Sequence, residues 1–357
     1  MKGISWLNVG DTVCDYSYSL NRNNYDLEKV KEFLMKKLIQ LFSILFVASL
    51  VLWGCSTTND ETEDSNTNKI HIVTSMFPMY EITKEIVGDR AEVSVMVGPS
   101  EDAHHYEPSA KAVASVNEAD VFIYSSNEME FWVESLLSVI ENEDLKVIEL
   151  GEYVNFELLS EEDDHDHQHE EDNHDDDHGH SHGHLDPHFW LNPVTVENEL
   201  QQIVEVLVAT APEGQQEYEK RAAAFSKELL EIDRAYQDAL GGTDHYAFVV
   251  QHQAFGHLAN QYHLDQVAIG GLTTEVEPNP KKLAEIVKFV NEQQISVIYY
   301  QSGEASAVAE TIAKETGTEI GVLYDLESLP LEFKDADRPY IEAMRENLEQ
   351  LKKTIDD

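Results

Sequence analysis

Eight histidines fall inside one twenty-four-residue run of this chain: His165, His167, His169, His174, His178, His180, His182 and His184. Between Glu161 and His184 they are interleaved with eleven carboxylates and with no lysine or arginine. Imidazole and carboxylate are the ligands that zinc and its neighbours prefer, so the run is a candidate auxiliary metal-binding segment. So few apolar side chains cannot offset the entropy of ordering the backbone, and the composition predicts a solvated loop. The alternative is a plain acidic linker, but eight histidines add no solubility that the acids do not already supply.

Four other segments carry side chains able to do chemistry. Gly98-Pro99-Ser100-Glu101-Asp102-Ala103-His104-His105-Tyr106-Glu107-Pro108 follows a strand-like run, and Asp186-Pro187-His188-Phe189-Trp190-Leu191-Asn192-Pro193 follows the histidine run. Val249-Val250-Gln251-His252-Gln253-Ala254-Phe255-Gly256 spans a strand end. The fourth, Gly270-Gly271-Leu272-Thr273-Thr274-Glu275-Val276-Glu277-Pro278, is followed by Tyr299-Tyr300-Gln301 and Leu323-Tyr324-Asp325-Leu326-Glu327. In open α/β sheets ligands collect beyond the carboxyl ends of strands, where His104 and His252 are expected. Trp190, Phe255 and Tyr106 read as packing around such a site, and His105 as a solvent-facing or supporting residue. His71, His245, His257 and His263 read as ordinary histidines.

The elements that must position these residues are legible as alternating strands and helices. Strand-like runs at 70–74, 92–97, 121–124 and 147–150 alternate with helical patterns at 79–87, 111–117 and 131–140. A long amphipathic face follows, with Tyr218, Ala222, Phe225, Leu229, Ile232, Tyr236 and Leu240 at steps of three and four, ended by Gly241-Gly242. Alternation then resumes, with strands at 247–250, 266–269, 297–300 and 320–323 and helices at 254–262, 281–292, 307–316 and 338–355. The expected fold is α/β: two lobes, each a mostly parallel sheet flanked by helices, joined by one long connecting helix. The domain reading is an N-terminal lobe at 69–193, a connecting helical segment at 194–242 and a C-terminal lobe at 243–357.

The first 68 residues read differently. From Met35, Lys36 and Lys37 form a basic start, an apolar stretch runs from Leu38 to Leu52, and Gly54 stands directly before Cys55. That is too short for a comfortable membrane span and has the layout of a secretory signal. Its end resembles a bacterial lipobox, which implies a signal peptide at 35–55, diacylation of Cys55 and an outward-facing lipid anchor. An uncleaved signal anchor is the alternative. Residues 1–34 precede the basic start, so Met35 is the expected first residue and 1–34 a mis-called extension. Residues 56–68 read as a flexible tether. Cys14 and Cys55 are the two cysteines, which excludes a disulfide framework and leaves nitrogen and oxygen as metal ligands. A formal net charge of −45 argues against nucleic acid as a partner and is compatible with a cation binder.

Together these segments resemble the metal-binding lipoproteins of bacterial ABC importers, the substrate-binding proteins of cluster A-I. The resemblance covers nearly all of residues 69–357, including Pro78-Met79-Tyr80 and Tyr340-Ile341-Glu342-Ala343-Met344-Arg345-Glu346-Asn347-Leu348. It implies that His104 and His188 from the first lobe and His252 from the second hold a metal in the cleft between them. Manganese-binding relatives tend to carry glutamate at the His252 position and zinc-binding ones histidine. Three neutral imidazoles suit zinc, whereas carboxylate-rich sites suit manganese. Relatives often place a glutamate at the position of Gln301 or an aspartate at that of Tyr324. The candidates for a fourth ligand are therefore Asp325, Glu304 and Gln301, or a water.

The implied function is an extracytoplasmic receptor, not an enzyme. It would capture Zn²⁺ and deliver it to a permease driven by a cytoplasmic ATPase, as a lipid-anchored monomer with a rigid connecting helix. Mn²⁺ or mixed-metal binding is the alternative cargo, and a surface adhesin role is compatible with transport. A zinc hydrolase would also use three histidines, but no HExxH segment is present and no acid–base partner is evident. Unperturbed imidazoles would lose zinc affinity below about pH 6.5.

Overall fold

The computed structural model describes Met35 and residues 69–99, 101–154, 185–242, 246–272, 279–301 and 307–355. The chain divides into two compact units, Met1–Thr67 and Asn68–Asp357, and of the first only Met35 is described. The expected signal segment with Cys55, the tether, the eight histidines of 161–184, His245 and Glu304 lie outside the described residues.

Within Asn68–Asp357 two parallel sheets form. The first holds β1 (Ile70–Thr74), β2 (Ala91–Val95), β3 (Val121–Tyr124) and β4 (Lys146–Glu149) in the order β2-β1-β3-β4. The second holds β5 (Tyr246–Val250), β6 (Leu264–Ala268), β7 (Val297–Gln301) and β8 (Glu319–Leu323) in the order β6-β5-β7-β8. All six pairings are parallel, as crossover helices require. The expected α/β class and pair of helix-flanked parallel sheets are therefore present.

Strand residues alternate between two buried environments, the mark of sheets covered on both faces. In β1 and β3, Ile72, Val121 and Ile123 enter the central core, while Val73, Phe122 and Tyr124 enter an outer cluster. In β5 and β7, Phe248, Val250, Val297 and Tyr299 enter that same central core, and Val249 and Ile298 a second outer cluster. One face of each sheet thus shares a single apolar core.

Helices fill the space between. In the first lobe they are α1 (Phe77–Val87), α2 (Ala110–Asn117) and α3 (Val133–Leu137). Then come α4 (Pro193–Thr210) and α5 (Gln215–Leu240). The second lobe carries α6 (Gly256–Gln261), α7 (Pro280–Gln293), α8 (Ala307–Thr316) and α9 (Pro339–Ile355). At 26 residues α5 is about 39 Å long. Tyr218, Ala222, Phe225, Leu229, Ile232, Tyr236 and Leu240 are all buried on it, the stripe that the spacing predicts. Near its start, Arg221 Nε donates to the carbonyl of Glu85 on α1 at 2.8 Å; near its end, Tyr236 Oη donates to that of Met344 on α9 at 2.6 Å. Arg338 adds a three-way tie, pairing with Glu85 at 2.6 Å and with Glu228 on α5.

Two local expectations change. The segment 194–242 holds two helices, because Ala211-Pro212 interrupts the pattern before α5. α4 starts where Asn192 Oδ1 accepts from Val194 N at 3.0 Å, with Pro193 in the first turn. The helix expected over 131–140 narrows to Val133–Leu137. Beyond it Val139 N and Ile140 N bond three residues back, in tight turns. Before it, Trp132 turns away to donate to the Ala103 carbonyl at 3.0 Å.

Candidate metal centre

Four buried side chains converge between the lobes: His104, His188, His252 and Glu327. His104 follows β2 on the 98–108 loop, held by Trp132 at Ala103 and by Asp102 Oδ1, which accepts from His104 N at 2.8 Å. His105 is exposed, with its Nδ1 2.9 Å from Asp102 Oδ2, so Asp102 braces both residues. His188 lies in the turn leading to α4. His252 lies two residues past β5, and Glu327 four residues past β8.

The geometry is a tripod. The Nε2 atoms of His188, His252 and His104 lie 3.1, 3.5 and 3.7 Å from Glu327 Oε1. Zinc–ligand bonds of 2.0–2.2 Å set a tetrahedral edge of about 3.4 Å, which these distances straddle. The ring centroids stand 5.0 to 6.4 Å apart, crossing edge-on, so that the rings splay around a common point. His104 Nε2 is buried and has no hydrogen-bond partner among the described residues. A buried imidazole nitrogen without a partner is costly unless something bonds it, and an ion at the tripod's centre would.

Carboxylates hold two of the rings from behind. His188 Nδ1 donates to Asp186 Oδ1 at 2.7 Å, and His252 Nδ1 is 3.0 Å from Asp325 Oδ2. Such support is usual for a metal-ligating histidine: it fixes ring orientation and leaves Nε2 on the far side, facing Glu327 and, for His252, also the Leu272 carbonyl at 2.9 Å. The segments are tied across the cleft as well. Trp190 Nε1 donates to the Asp325 carbonyl at 2.7 Å, Tyr340 Oη donates to that of Trp190 at 2.6 Å, and His257 Nε2 donates to that of Asp186 at 2.8 Å. His257, read from sequence as ordinary, is therefore buried directly behind the site.

The surrounding carboxylates favour protons on His188 and His252. Burial by itself would keep His188 neutral, but hydrogen bonds to Asp186 and Glu327 outweigh it and raise the ring to about 10. His252 is raised as well, burial being overcome by Glu327 and Asp325. Glu327 lies well below the carboxylate range because its histidine neighbours outweigh its burial. Asp325 is pushed up, by burial first and then by the charge of Glu327.

The tripod unites His104, His188 and His252, the set that the family resemblance implies. The fourth corner differs from expectation. Asp325 turns to the back of His252, and Gln301 ends β7 half-buried, opposite Leu323. The carboxylate that faces the three Nε2 atoms is Glu327. The chain brings it there through Leu326, fully buried with φ 63°, a left-handed conformation that a leucine rarely adopts. That bend lets Asp325 and Glu327 serve two sides of one ring, a device that residue types alone do not announce. Tyr106 packs edge-on against Trp132 at 5.1 Å and Trp190 against His188 at 5.3 Å, the packing roles expected of them.

Comparison with known proteins identifies the family of the chain. Residues 72–354 match the family described as zinc-uptake complex component A, periplasmic. The zinc-binding lipoprotein AdcA of Streptococcus pneumoniae is 38% identical over 327 residues, covering 90% of this chain and 62% of that protein. The chain thus spans less than two thirds of the length of that relative. The high-affinity zinc uptake system protein ZnuA of Bacillus subtilis is 34% identical over 322 residues, covering 90% of this chain and 99% of that one. The crystal structure of the Zn(II)-bound ZnuA-like domain of S. pneumoniae AdcA superposes with a TM-score of 0.67 at 37% identity, over 81% of this chain and 100% of that domain. With shared sequence over nearly the whole described fold, the chain belongs to the family of periplasmic component A of zinc-uptake complexes.

Proposed function

We propose that this protein is an extracytoplasmic Zn²⁺ receptor that captures the ion between its lobes with His104, His188, His252 and Glu327. The observation that carries the reading is the convergence of three imidazole Nε2 atoms on one carboxylate oxygen at 3.1 to 3.7 Å. Three nitrogens and one oxygen form a donor set that zinc accepts readily and that manganese, which favours oxygen, accepts less well. The similarity to zinc-binding lipoproteins and zinc-uptake proteins supports zinc as the cargo.

In this reading the receptor is anchored by a diacylated Cys55 to the outer face of the membrane. It delivers the ion to an ABC permease powered by its ATPase, makes and breaks no covalent bond, and works as a monomer. The histidines of 161–184 gather zinc loosely and raise its local concentration. The shared core and the ties along α5 keep lobe movements modest.

The test is competitive titration of the chain from Ser56, with and without residues 161–184, using Zn²⁺ against Mn²⁺. A single tight zinc site that survives the deletion and is lost in His252→Ala supports the reading. Even competition by manganese points instead to a mixed-metal receptor. Loss of all tight binding with the deletion assigns the metal to the histidine run and sinks the cleft site.

A further inference from the structure

The orientation of His188 depends on Asp186, and Asp186 is seated against the opposite lobe. Asp186 and His188 are both fully buried. Asp186 Oδ1 accepts two hydrogen bonds, from His188 N at 3.0 Å and His188 Nδ1 at 2.7 Å. Its carbonyl accepts from His257 at 2.8 Å. Its other oxygen, Oδ2, has no hydrogen-bond partner among the described residues and lies over the first residue of α6. That residue is Gly256. A Cβ there would stand 2.2 Å from Asp186 Oδ2 and 3.4 Å from its Cγ.

Gly256 is not among the described residues with positive φ, so no backbone conformation demands glycine at this position. Space does. A contact of 2.2 Å must open by more than 1 Å to reach ordinary van der Waals distance, which begins at 3.4 Å. A surface carboxylate would simply swing aside. Asp186 is pinned at its carbonyl and twice at Oδ1, so the movement would break or lengthen the bond to His188 Nδ1.

We infer that Gly256, in the C-terminal lobe, is a positioning residue for His188 of the N-terminal lobe and acts through the carboxylate of Asp186. The Gly256-His257 pair forms a seat: the glycine leaves room for the carboxylate, and the histidine grips the carbonyl of the same residue. One ligand of the first lobe is thereby aimed by the second. The functional side of this inference rests on the zinc-receptor reading; its geometric side does not.

The experiment is a double-mutant cycle on the full chain with Gly256→Ala, Asp186→Ala and the pair, read in two ways. Zinc affinity, measured against a competing chelator, should fall about 10- to 100-fold in each single variant, the usual cost of losing such support. The pair should be no weaker than Asp186→Ala alone, because without the carboxylate the new methyl meets nothing. In metal-free protein, the His188 ring ¹⁵N resonances should move in Gly256→Ala and should not move further when Gly256→Ala is added to Asp186→Ala. If Gly256→Ala fails to fold, the pair should recover the fold of Asp186→Ala, read by circular dichroism. Single effects that multiply in the pair would overturn the inference, as would a Gly256→Ala protein with unchanged His188 resonances and affinity within twofold of the parent. If the parent binds no zinc while the resonances behave as stated, the positioning role stands and the receptor reading fails.

Discussion

In the proposed site, zinc must displace a proton to bind His188, and this links affinity to pH far above the range of an ordinary histidine. Both ring nitrogens of His188 face carboxylates, Asp186 at 2.7 Å and Glu327 at 3.1 Å, and the metal-free ring keeps its proton to about pH 10. At pH 7 the ring lies about three pH units below that point, so protons weaken the apparent zinc affinity about a thousandfold, or about 4 kcal/mol. Each unit of pH between 7 and 9 should therefore tighten binding at least tenfold, about a hundredfold in all, with His252 adding to the slope. Calorimetric titration in buffers of different ionisation enthalpy should show at least one proton released per zinc at pH 7.5. Chelator competition from pH 6 to 9 gives the slope independently. Asp186→Asn removes the charge that holds the proton and should flatten the curve while weakening the site. A plateau above pH 7 with no proton release, the behaviour of three unperturbed imidazoles, would refute the reasoning.

Other outcomes follow from the same structure. The raised His188 contributes stability that is fully present below its unfolded value near 6.5 and is lost as pH rises toward about 10. Metal-free protein should accordingly melt lower at pH 9 than at pH 7 by differential scanning fluorimetry. Glu130, fully buried, accepts from Ser75 Oγ, Ser125 N and Ser126 N, so Glu130→Ala leaves three donors unpaired. It should lower the unfolding free energy in urea by about 3 kcal/mol or more. His252→Glu sets a third carboxylate beside Glu327 and Asp325. It should reduce the preference for zinc over manganese in competitive titration, and an unchanged preference would count against His252 as a ligand. Trp190→Phe keeps an aromatic six-membered ring but removes the buried pyrrole ring and, with it, the 2.7 Å bond to the Asp325 carbonyl. It should cost about 1–3 kcal/mol in thermal or urea unfolding.

The sequence reached the three histidines and the α/β lobes because their signals are local. Strand runs and the α5 stripe are periodic patterns within single elements, and the three histidines lie in short segments that resemble the family's motifs. Glu327 was quoted in its segment yet not singled out, since its placement depends on the left-handed turn at Leu326, a conformation no residue type there suggests. Asp325 reads as one of several candidates for a fourth ligand; in the structure its carboxylate meets Nδ1 of His252, because strand alternation does not hold through such a bend. The two-helix form of 194–242 was signalled by Asn192-Pro193 and Ala211-Pro212, but the longer stripe of α5 dominated the reading. His257 and Gly256 were beyond reach, because what they do is decided by a residue about seventy positions away in the other lobe.

One face of each sheet drains into a single apolar core, and this has an energetic corollary for unloading. A clamshell receptor spends part of its binding free energy on swinging shut and recovers it when it opens. With the modest lobe movements proposed above, little is stored in such a swing, and the free energy of capture stays in the metal–ligand bonds. For a nanomolar site that is about 12 kcal/mol. Whatever empties the pocket must supply it directly, by prising the ligand-bearing segments apart or by returning protons to the imidazoles that zinc displaced.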